Sequence, residues 1–204
     1  DPVRYSRHLA LPQVGAEGQR RLEQSSVLVI GLGGLGSVAS LYLANAGIGH
    51  LVINDFDRVD ATNLPRQILF RESDVGEYKT HATAERLRAA NPAPHVNVLN
   101  RRLDADELRD AVSACGLILD CTDNFPTRVA LNAACVRARK PLVTGAAIRF
   151  EGQVAVCPND DPAGPCYRCL CSDEDDNCAN CAGQGILAPV AGMTSRWFFR
   201  GRTR

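Results

Sequence analysis

Short apolar runs alternate with longer segments of helical spacing through most of the chain. Residues 25–31, SSVLVIG, form an apolar run ending in glycine, as a buried parallel strand would. Residues 34–47 then follow a helical period and close on Gly47. A second strand is predicted over 50–57 and ends in acid. A polar helix over 77–92 stops before a proline, and residues 95–100 alternate like a strand. Helix is predicted again over 104–116, strand and loop over 116–124, and helix over 125–140 with Pro126 in its first turn. Two more strands follow at 141–148 and 151–158. A short charged helix over 16–24 precedes the series.

Strand and helix in turn imply parallel βαβ units and an α/β fold with a doubly wound, mostly parallel sheet. Three regions are expected. Residues 1–24 form an N-terminal helical arm, 25–157 the doubly wound α/β domain, and 158–204 a cysteine-rich lobe with a tail. Ligands on such sheets sit beyond the carboxyl ends of the strands, so functional residues are expected just after strands.

Composition changes this picture little. The chain has 204 residues with 23 basic and 23 acidic side chains, so its net charge gives no argument for nucleic acid or an anionic membrane. No apolar run approaches the roughly 20 residues of a membrane span. The start, DPVRYSRHLALP, lacks the apolar core of a signal peptide. Nine cysteines without an export signal point to a reducing cytoplasm. Cys115, Cys121, Cys135 and Cys157 are read as small buried hydrophobes. Cys166, Cys169, Cys171, Cys178 and Cys181 crowd the end and are read as metal ligands, reactive groups or free loop thiols. His8, His50, His81 and His95 show no ligand spacing.

Three polar clusters fall where ligands are expected. The first is Gly31, Gly33 and Gly36 with an extra Gly34, between a strand and a helix. Its glycines allow a tight turn, and the helix start attracts phosphate. Asp55, about 20 residues on, stands where a ribose-binding acid belongs. The second is Asn63, Arg66 and Gln67 around Pro65. Asn63 is expected to cap a short helix over 64–70, with Arg66 suited to phosphate. Lys79 follows, either as a second phosphate cation or as a solvated surface lysine. The third is DCTDN, residues 120–124, where Asp123 can hold Mg²⁺ and Asp120 is expected to cap the loop internally.

The stretches RYSRH, GLGGLG, DFDRVDATNLPRQ, YKTHAT, DCTDN, GAAIRFEGQ and PCYRC occur in that order. Over roughly residues 4–192 the chain resembles the ThiF/MoeB/HesA family, the bacterial relatives of ubiquitin-activating enzymes. The resemblance implies a Rossmann-like domain that binds ATP and Mg²⁺. It implies adenylation of the C-terminal Gly-Gly carboxylate of a ubiquitin-like sulfur carrier, releasing pyrophosphate. By position it implies Gly34 at the phosphates and Asp55 at the ribose. Asn63, Arg66 and Gln67 face the polyphosphate, Lys79 the α-phosphate, and Asp123 and Asn124 the metal pocket. It also implies a homodimer in which Arg7 reaches the partner's site. Pro65 stands where better-known members carry glutamine.

The cysteine-rich end leaves alternatives open. Cys166 and Cys169 resemble half of the family's structural Zn²⁺ site, whose second pair normally lies nearer the C-terminus. Cys178 and Cys181 could complete it locally, or Cys181 could handle sulfur. The end MTSRWFFRGRTR departs from the family's helical pattern, so a truncated chain is expected, with Trp197, Phe198 and Phe199 in a non-native tail. GAAIRFEGQ leans towards molybdopterin-type members and Cys181 towards the thiamine type. Two other readings remain: an NAD-dependent dehydrogenase, and a non-catalytic nucleotide-binding, carrier-docking module.

Overall fold

Strand β1 (Ser26–Ile30) lies at the centre of one six-stranded sheet in the computed structural model. The structure describes residues 1–161, 164–171 and 185–197, without the side chains of residues 196 and 197. Beside β1 run β2 (His50–Asn54), β3 (His95–Leu99), β4 (Leu117–Asp120) and β5 (Leu142–Ile148), all parallel. Strand β6 (Glu151–Cys157) returns antiparallel to β5, giving the order β3-β2-β1-β4-β5-β6. The chain adds strands on one side of β1 and then crosses to the other. The order therefore reverses between β1 and β4, and a crevice opens beyond their carboxyl ends.

Side-chain alternation on β1 builds two cores. Val27 and Val29 face one way, against Leu51, Ile53, Ala39, Leu43 and Leu87. Leu28 and Ile30 face the other, against Ile118, Leu142, Leu108, Val112 and Leu131. Each such side chain contributes about 1.5–3 kcal/mol on burial. Helices α3 (Gly36–Ala46) and α4 (Lys79–Ala90) cover the first face. Helices α5 (Ala105–Ala114) and α6 (Phe125–Ala138) cover the second. Seven of the eleven residues of α3 are buried, so this helix is apolar on most of its circumference. Cys115, Cys121, Cys135 and Cys157 are all buried, as expected. Burial is the main cause that pushes the Cys135 thiol up to about 12 and Cys157 to about 11.

Helices α1 (Ser6–Leu9) and α2 (Gly15–Gln24) sit where the strands begin. Buried Tyr5 accepts a 2.9 Å bond from Asn91 Nδ2, and Gln19 Nε2 donates to Ala46 O at the end of α3. Helix α7 (Ala188–Trp197) packs on β5, β6 and α3. The expectation that residues 193–197 leave the helical pattern is thus corrected. Thr194 and Ser195 stay buried because their hydroxyls donate to Val190 O and Gly192 O within the helix. Phe198 and Phe199 lie outside the described residues, as do Cys178 and Cys181.

Candidate functional site

The turn after β1 is set by close approach. Gly31 has φ +87°, and a Cβ there would lie 2.8 Å from Cys121 O, so the turn presses on the end of β4. At Gly36 a Cβ would come within 1.8 Å of Gly31 O. The missing side chain lets α3 start directly beneath the loop. Asp55 clamps the turn from β2. Its Oδ2 accepts the Leu32 N–H at 2.7 Å and its Oδ1 the Asp57 N–H at 2.8 Å. Burial raises the Asp55 carboxyl above its ordinary value, against the pull of Lys79 and these two N–H groups.

The second cluster departs from expectation in its local fold. No helix starts after Asn63. Asp60 is instead the cap of a single 3₁₀ turn, Ala61–Asn63. Its Oδ1 accepts both the N–H and the hydroxyl of Thr62, at 2.8 and 2.6 Å, and that double bond starts the turn three residues early. Asn63 Oδ1 is left to accept from Arg66 Nη2 at 2.7 Å and Gln67 Nε2 at 3.1 Å. Arg66 Nη1 also donates to Thr62 O. The guanidinium is thereby held in place by the loop rather than by a helix. Gln67 is 3% exposed, and its Oε1 has no hydrogen-bond partner among the described residues.

Lys79 is not a solvated surface residue. It is 6% exposed, and its Nζ pairs with Asp57 Oδ2 at 3.0 Å. Its backbone N–H donates to Asp57 O, so one residue fixes both ends of the lysine. In the third cluster Asp120 caps its own loop, as expected. It is fully buried and accepts from Thr122 N, Thr122 Oγ1 and Thr144 Oγ1. Asn124 is the cap of α6, accepting the Thr127 N–H at 3.0 Å. Exposed Asp123, between them, has no hydrogen-bond or ion-pair partner among the described residues.

These elements enclose one cavity of about 960 Å³. Its walls include Gly31, Gly33, Gly34, Asp55, Asn63, Arg66, Gln67, Lys79, Asp123 and Asn124. Gly36 lies behind the wall rather than on it. Arg7 is exposed on α1, away from this cavity and at the end of the sheet where the strands start. Three contributors were not singled out in the sequence. Asp57 holds Lys79. Buried Arg128 on α6 lines the cavity and donates to Thr122 O and Gly145 O. Residues 185–188 and Ala191, ahead of and within α7, close the remaining side. Asp57 carried a signal, since it is the second acid of DFD.

The donor set suits an anion with a divalent cation. Arg66 and Lys79 line the same cavity as Asp123, a carboxylate with no partner among the described residues, and Mg²⁺ is commonly held by one or two carboxylates and phosphate oxygens. Among the described residues no histidine lines the cavity, and Cys121 is the one thiol that does. Burial, then the Asp120 carboxylate, drives that thiol well above its ordinary value, so it stays protonated and inert.

Zinc is a different matter. Cys166 precedes and Cys169 ends the 3₁₀ turn Tyr167–Cys169, and neither lines the cavity. Burial opposes ionisation of Cys166. Hydrogen bonds from the Asn132 amide, from the Arg168 and Cys169 N–H groups and from the Cys169 thiol outweigh it and lower the thiol below its ordinary value. Two thiolates are half of a tetrahedral set. Among the described residues no group of three or more metal-ligating side chains forms, so these two alone do not make a zinc site. Cys171 is disulfide-bonded, which corrects its reading as a free loop thiol. No described helix is long and apolar enough to cross a membrane.

The chain is 45% identical over 193 residues to the sulfur carrier protein ThiS adenylyltransferase of Escherichia coli (strain K12), covering 95% of this chain and 76% of that protein. It is 43% identical over 191 residues to the molybdopterin-synthase adenylyltransferase of Salmonella typhimurium (strain LT2), covering 94% and 76%. Among solved structures, E. coli MccB with ATP superposes with a TM-score of 0.79 at 26% identity. That match covers 96% of this chain, which spans 60% of the MccB chain. A sequence model described as the ThiF family matches residues 5–197, and on these grounds the chain belongs to the ThiF family.

Proposed function

We infer that this protein uses ATP to adenylate the C-terminal carboxylate of a small ubiquitin-like sulfur carrier ending in Gly-Gly. The products are a carrier acyl-adenylate and pyrophosphate. One observation carries the reading: Arg66, Lys79 and the unpartnered Asp123 carboxylate share a single cavity with a glycine turn, at the point where the strand order reverses. The adenylyltransferase names of two relatives support it.

In the step itself a carboxylate oxygen of the carrier bonds to the α-phosphorus of ATP. The bond from that phosphorus to the β-bridging oxygen breaks, and pyrophosphate leaves with the electron pair. The attacking carboxylate is already ionised, so no side chain needs to remove a proton. Catalysis then rests on alignment and on neutralising charge. Arg66 is preset by Thr62 and Asn63 to meet phosphate oxygens. Lys79 has three donor positions and spends one on Asp57, leaving two for the α-phosphate region. Asp55 retains acceptor capacity for a ribose hydroxyl beyond its two N–H bonds. Asp123 would hold Mg²⁺, which neutralises charge on the phosphates. Gln67 Oε1 awaits a donor in the same wall.

The functional unit is a homodimer. Arg7 sits at the far end of a sheet whose central strand alone spans about 15 Å, too far to serve its own site, and this supports the role in a second copy's site that the family resemblance implies. ATP as substrate fits the cytoplasm. Zinc would need two ligands beyond Cys166 and Cys169.

The test is ATP–pyrophosphate exchange with purified carriers ending in Gly-Gly. Exchange that depends on the carrier, and that Arg66→Ala abolishes, supports the reading. ATP binding without carrier-dependent exchange refutes it in favour of a binding module.

A further inference from the structure

We propose that Arg128 is a positioning residue that aims the Asp123 carboxylate at the metal–triphosphate, a role that rests on the adenylylation reading. Arg128 lies in the first turn of α6 and is 6% exposed. Its guanidinium reaches back over that turn. Nε donates to Thr122 O at 3.1 Å, and Nη2 donates to the same oxygen and to Gly145 O of β5 at 3.2 Å.

Thr122 is also gripped from the opposite side. Its N–H and its hydroxyl both donate to Asp120 Oδ1, at 3.0 and 2.7 Å. Asp120 Oδ2 in turn accepts from Thr144 on β5. Every polar group of Thr122 is therefore bonded: the donors by Asp120, the acceptor by Arg128. Upstream, the Cys121 N–H donates to Ile30 O. Downstream, the Asn124 side chain is committed to the start of α6. Between these fixed points stands one residue with an uncommitted side chain, Asp123. Its main chain cannot move unless Thr122 O or the α6 cap is released. A buried guanidinium that ties a loop carbonyl to a strand carbonyl fits a site where a misplacement of about 1 Å can lower the rate a hundredfold.

This role differs from that of Arg66 and Lys79. Arg128 acts on phosphate chemistry through the peptide before Asp123. Groups that orient a metal-binding carboxylate in this way typically affect metal affinity or activity 10–100-fold when removed.

The experiment compares wild type, Arg128→Lys, Arg128→Met, Asp123→Asn and the Asp123→Asn/Arg128→Lys double variant. Mn²⁺, as a probe for Mg²⁺, is titrated by electron paramagnetic resonance in the presence of α,β-methylene ATP. Carrier-dependent pyrophosphate exchange is followed against Mg²⁺ concentration in parallel. The expected result is Mn²⁺ binding about tenfold weaker in Arg128→Lys, with a matching rise in half-saturating Mg²⁺. The ATP KM should change less than kcat. In the Asp123→Asn background Arg128→Lys should add little, because both changes remove one coupled arrangement. Wild-type Mn²⁺ affinity in both Arg128→Lys and Arg128→Met, with only thermal stability lowered, overturns the proposal and leaves the adenylylation reading standing. Wild-type protein that shows no carrier-dependent exchange overturns that reading and this role with it. Arg128→Met guards against lysine substituting for the guanidinium: Mn²⁺ binding unchanged in both variants, each folded by circular dichroism, rejects the role.

Discussion

Gly36→Ala tests the physical basis of the cavity in a single methyl group. The added Cβ would stand 1.8 Å from Gly31 O, whereas real Cβ contacts essentially never fall below 3.0 Å. Helix α3 or the loop must therefore retreat by more than 1 Å, and neither neighbour is a flexible side-chain tip. The clashing atom is backbone, in a turn already pressed against Cys121 O. The next atoms met are Gly31 C at 3.0 Å, also backbone, and Cys121 Cβ at 3.1 Å, on a side chain that is itself buried. Overpacking of this kind costs about 1–3 kcal/mol, and the upper end applies where backbone must move. For a chain of this size each kcal/mol lowers Tm by about 2–4 °C, so a fall of about 6–12 °C is expected. The same shift moves the N–H groups offered to phosphate, and about 1 Å can cost a hundredfold in rate. The assays are differential scanning calorimetry and isothermal titration with ATP. Gly192→Ala is the contrast: among the described residues its Cβ in α7 meets nothing within 4 Å, and it should gain about 0.5–1 kcal/mol from helix propensity. Wild-type Tm and ATP affinity in Gly36→Ala would refute the packing argument.

Three further outcomes are expected. Asp57→Ala strands the buried Lys79 ammonium. The cost should be about 1–2 kcal/mol in urea denaturation, below that of a fully buried pair because the Asp57 carboxylate is half exposed. A cost near zero would show that the pair does not hold the lysine. Asp55 is raised above 3.8, chiefly by burial. Between 3.8 and that raised value the folded state binds more protons than the unfolded, so stability from this group falls as pH rises through the window. Asp55→Asn should flatten that slope in denaturation series; an unchanged slope contradicts the burial argument. Finally, mixing Arg7→Ala with Arg66→Ala chains should restore about a quarter of wild-type exchange, since half the dimers then carry one intact site. No recovery would place Arg7 outside the partner's site.

Much of the sheet was legible because its signals are local. Val27 to Ile30 is an unbroken apolar run, and Asp104 with Glu107 forms a capping box that starts α5 where helical spacing begins. The glycine turn and the acid after β2 were legible for the same reason. What escaped depends on contacts across the fold. Asp60 and Asn63 are both good caps three residues apart. Only the bond from the Thr62 hydroxyl decides for Asp60. Lys79 reads equally as a phosphate cation or a surface lysine until the loop after β2 brings Asp57, 22 residues back in the chain, beside its buried ammonium. Arg128 sits in an ordinary helical pattern, and its purpose shows only when β5 places Gly145 O, 17 residues on, within reach. The helical end of α7 was missed because its buried face carries Thr194 and Ser195, whose hydroxyls are satisfied within the helix rather than by a partner that sequence could reveal.

All of this turns on whether Arg66, Lys79 and Asp123 surround one triphosphate. A crystal structure of the protein with α,β-methylene ATP and Mn²⁺ measures that directly, because the anomalous signal of Mn²⁺ marks the metal independently of the nucleotide. The expected density places Mn²⁺ on the Asp123 carboxylate and the phosphate oxygens within hydrogen-bond distance of the Arg66 guanidinium and Lys79 Nζ. Nucleotide bound with its phosphates outside this cavity, or Mn²⁺ bound away from Asp123, would contradict the account.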